Sequence, residues 1–356
     1  MKIGILDFRV LRRFNPFSKH YDKVVSSNTN GTDSTAEHGA IPEGDDRYNG
    51  GVYANGHIYF IPWSADNVYK INVVTKVVSL AVTIVLPSKA YASGVLAPNG
   101  KIYCIPFSAS DILVINPTDD SFYTIPVDAG TLKWQCGSIN EDGVIYCIPR
   151  TNANVLKIDT RDDTFSLLPH TTGTWFSSTL TQDGIIYGIP WSDTNILKID
   201  TKTDTITEFG GIAGTAKWAG AVLVGHYIYG IPYRSTTVLK IDIRDDSFTT
   251  FGVVSSDNDK WFDGALLENG FIYGCPSSAG AILKINPADD TLSSFGSFPT
   301  IQTWRGITNG GNGSLYCAVN GLLGQNNTSQ TLEITNDGVV NFISEEFIKS
   351  AYYNKL

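Results

Sequence analysis

Methionine occurs once and histidine five times in the 356 residues of this chain, so the residues that most often build metal and acid-base centres are scarce. Charge is thin as well: Asp, Glu, Lys and Arg make up 17% of the chain, and 26 basic residues face 35 acidic ones for a net charge of -9. The basic residues are scattered, which excludes the electrostatic footprint of a nucleic-acid binder and disfavours anionic membranes. The longest apolar run, "VVSLAVTIVL" at 77–86, is half the length that a membrane-spanning helix needs and reads as a strand. No apolar run follows a basic patch near the start, so no secretory signal is expected, and the expected location is the cytoplasm or a viral particle. Five cysteines show no C-x-x-C spacing. Four of them, Cys104, Cys147, Cys275 and Cys317, fall one or two residues after a tyrosine at equivalent repeat positions, as small buried filler would. Gly-x-Ser-x-Gly, a phosphate loop and metal-ligand spacings are all missing, so no catalytic residue, metal ligand or cofactor is assigned.

What is present is a repeat. Tyr59, Tyr103, Tyr146, Tyr187, Tyr229, Tyr273 and Tyr316 recur at intervals of 41 to 44 residues. Each unit carries the same signals in the same order, as in "WFSSTLTQDGIIYGIPWSDTNILKIDTKTDTITEF" at 175–209. A first strand follows the tryptophan and ends in a hairpin dipeptide such as Asn99-Gly100, Asp142-Gly143, Asp183-Gly184 or Asn269-Gly270. A second strand of the "IIYGIP" type stops at a proline, which has no donor for the ladder. A third, "NILKID", alternates apolar and polar residues with period two. A turn with paired acids (Asp119-Asp120, Asp162-Asp163, Asp245-Asp246, Asp289-Asp290) leads into a fourth. Neighbouring carboxylates suit hard cations, but the fixed Gly and Glu of a calcium loop are missing, and Asp at such turns caps its own backbone. Turn chemistry is the favoured reading.

Four antiparallel strands per 40 to 50 residues define an all-β fold, the β-propeller. The expected blade number is eight, with seven as the alternative. "KIGILDF" at 2–8 and "LRRFNP" at 11–16 match a second and third strand, and "YDKVVSS" at 21–27 a fourth; "AYYNKL" at 351–356 matches a first strand. Residues 2–27 and 351–356 would thus share a closing blade, 28–46 would form an inserted inter-blade loop, and 47–344 would hold seven consecutive blades, all within one domain over 1–356. Dividing 356 residues by eight gives 44.5, close to the observed period.

The pattern "DGIIYGIPWSDTNILKIDTKTDTITEF" resembles the repeats of the NHL and streptogramin-lyase-like propeller group. The resemblance covers nearly the whole chain and implies the propeller fold. Streptogramin-lyase-like enzymes use a histidine, acidic residues and magnesium on one face of the ring, and no counterpart maps residue by residue here. His170, in an inter-blade segment, is the best-placed single histidine.

Two aromatic sets should ring one mouth of the central channel, because the inter-blade loop and the loop between second and third strands emerge on one face. Trp134, Trp175, Trp218, Trp261 and Trp304, with Tyr91 in the same slot, enter the first strands. Trp63, Phe107, Trp191 and Tyr233 follow the second strands, with Arg150 and Ser277 in the same slot and Arg234 and Arg305 nearby. The first set is regular, as packing demands; the second varies, as a binding surface does. The expected function is a non-enzymatic binding or scaffold protein that takes a protein or glycan partner on this face as part of a larger assembly. A lyase- or hydrolase-like enzyme at the same mouth, and a viral or phage structural or attachment component, are the alternatives.

Overall fold

An inner strand, three more stepping outward and a short crossing to the next inner strand form the unit that the molecule repeats. The computed structural model describes residues 31–41, 47–127, 130–170, 173–299, 302–322 and 329–337. These form 28 strands, with no helix among the described residues, in seven four-stranded antiparallel sheets. Accordingly no described helix is long and apolar enough to cross a membrane. The inner strands touch one another in sequence around a closed ring, so the fold is a seven-bladed propeller.

The expectation of eight blades is therefore corrected to seven. Six blades are contiguous in the chain, from Tyr48–Thr83 through Trp261–Phe295. The seventh takes its three inner strands from Gln302–Asn309, Ser314–Leu322 and Ser329–Asn336, and its outer strand from Asp33–Ile41. That strand lies within the stretch expected to be a loop. It pairs antiparallel with the third strand from Asp33↔Asn336 to Ile41↔Ser329. The physical reason is that outer strands are largely solvent-exposed in most blades, as in Thr164–Pro169 and Ser247–Phe251, so a polar sequence such as "DSTAEHGAI" satisfies the position without any hydrophobic alternation. The segments 2–27 and 351–356 assigned to an eighth blade lie outside the described residues.

Local chemistry fixes the turns. In the hairpins at Gly100, Gly143, Gly184 and Gly270 the glycine alone takes a positive φ, between 78° and 84°, and its N–H closes a turn on the carbonyl three residues back. These are three-residue turns with glycine in the left-handed position. The two acids of the outer turn divide the work. Asp119, Asp162 and Asp289 cap the turn, each accepting from the backbone and hydroxyl two residues on. The second acid reaches the preceding blade.

There the repeated tyrosine and a third-strand lysine converge on it. Asp120 accepts from Tyr59 at 2.7 Å and from Lys70 at 2.5 Å; Asp204 from Tyr146 and Lys157; Asp246 from Tyr187 and Lys198. Lys240 holds Asp290 at 2.7 Å beside Tyr229. At the sixth junction the acid is Asp33, from the far end of the chain, which accepts from Tyr273 at 2.6 Å and from Lys284. In the second blade Val114 stands where the lysine would be, and Tyr123 takes its place on Asp163 at 2.6 Å. At the closing junction the signs are exchanged: Glu333 stands on the third strand, and Lys76, in the left-handed turn position at φ 62°, comes from the first blade to meet it and Tyr316. Burial and these carboxylates together push the tyrosine hydroxyls well above their usual range.

Candidate functional site

The inner strands line the channel, and an aromatic at or near the start of each fixes it in its blade. Trp134, Trp175, Trp218, Trp261 and Trp304 are 0% to 6% exposed, and each indole N–H donates at 2.8 to 2.9 Å to a carbonyl near the start of the third strand or at the residue before it. Tyr48 makes the same bond to Asn67 through its hydroxyl, and Tyr91 reaches Asp111. All seven side chains are engaged inside the blades. Directly after this anchor the strand bulges, which turns the next residues toward the axis.

The residue after each anchor stands at the mouth: Asn49, Ala92, Gln135, Phe176, Ala219, Phe262 and Arg305. Around it lie the second-set aromatics, in two groups. Trp63 and Phe107 pack with ring centroids 4.7 Å apart. Opposite in sequence, Trp191 stacks on Phe176 at 4.3 Å and touches Tyr233 at 4.8 Å, while Phe262 meets both Phe176 and Tyr233 edge-on. Backbone bonds seat them between blades, the carbonyls of Trp63, Phe107, Trp191 and Tyr233 accepting from the residue before the next inner strand.

Cations frame this cluster. Lys133, Lys217 and Lys260 are buried just ahead of the tryptophans, and their ammonium groups donate to the carbonyls of Ala109, Asp193 and Asp257. Arg234 is paired with Asp259 at 2.8 Å at the edge. Arg305 lies 5.3 Å from the Phe262 ring centre. Arg150 lies over Trp191 at 4.9 Å and Phe176 at 5.5 Å. Its Nη1 is buried without an acceptor among the described residues, and burial lowers its pKa to about 10.

Beneath the mouth the channel opens into a cavity of about 340 Å³. Its wall is built mostly of Gly, Ser, Ala and Thr, with Asp263 as its carboxylate and with no Lys, Arg or His among the described lining residues. Ser178 is hydrogen-bonded to Ser138 at 2.8 Å and to Cys136 at 3.1 Å. Cys136 is the cysteine outside the filler positions, and burial pushes its thiol up to about 12. Asp263 occupies a left-handed conformation, φ 78°, at the position where the first and seventh blades carry Gly50 and Gly306, at φ 82° and 71°. Burial pushes its carboxyl up to about 7, against the opposing pull of the Gly264 and Ile307 backbone N–H groups.

Of the residues proposed on sequence, Arg150, Trp191 and Tyr233 fall in one cluster and Trp63 and Phe107 in another, while the five anchoring tryptophans stand apart inside their blades. His170 sits 2.9 Å from Glu208 and against Trp175, and it is not among the residues lining the cavity. Sequence reasoning passed over Phe176, Phe262 and Asp263. Their signal lay in the two residues after each anchor: the third position reads Gly, Ser, Cys, Ser, Gly, Asp, Gly around the ring, and the aspartate is its one charged member.

Fold and channel define a seven-bladed β-propeller with a lined central cavity. Solved structures share that architecture. A streptogramin B lyase superposes with a TM-score of 0.72 at 14% identity, over 86% of this chain and 98% of the other. A catalytically inactive virginiamycin B lyase from Staphylococcus aureus, solved with quinupristin, gives 0.71 at 14% identity over 85% and 99%. A mitotic checkpoint complex chain gives 0.65 at 12% identity over 95% and 100%. No family model matches the sequence, and no curated protein does either. At such identities the likeness is one of fold, and it agrees at that level with the streptogramin-lyase-like repeat pattern.

Proposed function

We propose that this chain is a non-enzymatic binding propeller that takes its partner at the aromatic mouth of the channel, as part of a larger assembly. The observation that carries the reading is Arg150. Its guanidinium is desolvated against Trp191 and Phe176 and keeps a buried donor with no acceptor among the described residues. An unmet charged donor costs about 1–3 kcal/mol or more, and a partner's carboxylate returns that energy. Because Trp191 is already faced by Phe176 and by Arg150, a flat stack on a sugar ring would have to displace one of them. The recognised chemistry is therefore a carboxylate, carried by a protein or by an acidic glycan.

Arrays of acidic peptides and of uronic- and sialic-acid glycans distinguish the two carriers. The expected result is retention of one class and loss of that signal in Arg150→Ala with the fold intact. Binding of neutral glycans alone, undiminished in Arg150→Ala, would overturn the reading.

A further inference from the structure

We infer that the channel beneath the mouth is a receptacle for a small organic ammonium ion, with Asp263 as its counter-ion and Phe176 and Phe262 as its apolar wall. This goes beyond the mouth proposal and does not depend on it.

Asp263 is the one non-glycine residue that takes a left-handed φ at this position of the inner strands, and its carboxylate accepts from the Gly264 N–H at 2.8 Å. The same backbone position is glycine in the first and seventh blades, and a non-glycine residue in that conformation carries strain of about 1 kcal/mol or more. Its carboxylate is enclosed by a wall without a cationic side chain among the described residues, where an ionised group is costly unless a counter-charge arrives. A carboxylate held by backbone N–H groups alone, inside a cavity and with no cationic side chain on the described wall, is a counter-ion site that a binding function retains.

The wall supplies the rest of an ammonium site. Thr179 is 4% exposed, lines the cavity, and has a hydroxyl with no partner among the described residues; the Ser93 hydroxyl on the same wall is likewise unpartnered among them. Each can accept an N–H. Phe176 and Phe262 meet edge-on at 5.0 Å and give the cavity wall its large apolar surface, against which the organic part of the ion packs. A volume near 340 Å³ suits a small molecule. A hard metal ion fits poorly, since it seeks several carboxylate and carbonyl oxygens and this wall offers one carboxylate.

The test is titration calorimetry of the full chain with benzylammonium, with benzyl alcohol as its neutral isostere. Saturable binding of the amine and none of the alcohol is expected. Asp263→Gly, which installs the residue of the neighbouring blades and keeps the ring by circular dichroism, should weaken amine binding at least about tenfold. Arg161→Ala, at an exposed outer turn away from the channel, should leave it unchanged. The inference fails if benzylammonium gives no saturable heat, if the alcohol binds as well, if Asp263→Gly binds within about twofold of the parent, or if potassium ions displace the amine at equal concentration.

Discussion

The rim of the ring and the wall of its channel are built from the same seven repeats, yet one is nearly uniform and the other is not. At the rim, five junctions use a tyrosine and a third-strand lysine on the aspartate of the next outer turn, and the remaining two vary the same theme. Along the wall, equivalent positions range from Gly50 through Cys136 to Asp263. Regularity marks what every blade needs in order to stack on its neighbour. Its breakdown marks positions that stacking leaves free, which are the ones available for recognition.

The rim can be broken most severely where the two ends of the chain meet. Asp33 opens the outer strand of the seventh blade, takes Tyr273 and Lys284 from the sixth, and accepts from Asn336 at 2.7 Å, replacing by hydrogen bonds the covalent turn that the other blades have. Its pair with Lys284 is also the most buried of the lysine–aspartate set, at 14% and 13% side-chain exposure. Asp33→Ala strands that buried lysine, and a loss of about 3 kcal/mol is expected in urea unfolding. The more exposed Asp246→Ala should lose about half as much.

The exchanged signs at the closing junction give a sharper comparison. Lys76→Glu sets two carboxylates against each other at Glu333 and should cost about 2 kcal/mol. Lys76→Asp combined with Glu333→Lys recreates the arrangement of the five regular junctions and should recover most of that loss in the same unfolding measurement. Because Lys76 would meet a like charge on the third strand of those five blades, the exchange also ties the first blade to the seventh.

How far the sequence revealed this follows from the same contrast. Strand order, hairpins, blade anchors and the Tyr–Asp periodicity were legible because each recurs with fixed spacing. The seventh outer strand was not, since "DSTAEHGAI" is polar and outer strands need little more than polarity and an edge to pair with. Chain length divided by the period then counted one blade too many. The mouth residues Arg150, Trp191 and Tyr233 were visible as variation within a slot, whereas Asp263 looked like one more acid because its importance lies in backbone conformation and enclosure, which spacing does not encode.

The account's central claim is that rim residues serve the fold while Asp263 is held in the wall at a cost to it. Because its folded-state pKa is raised to about 7, the native state keeps a proton that the unfolded chain releases near pH 4, so Asp263 costs increasing stability as pH climbs between those values. The Cys136 and Cys275 thiols nearby are pushed up by burial and stay neutral over that range. The direct measurement is unfolding free energy of the parent and Asp263→Gly from pH 4 to pH 8. The two should be close at pH 4, and the variant should be more stable by about 4 kcal/mol at pH 8. A variant equal to or less stable than the parent at pH 8 would make Asp263 a structural residue and contradict the account.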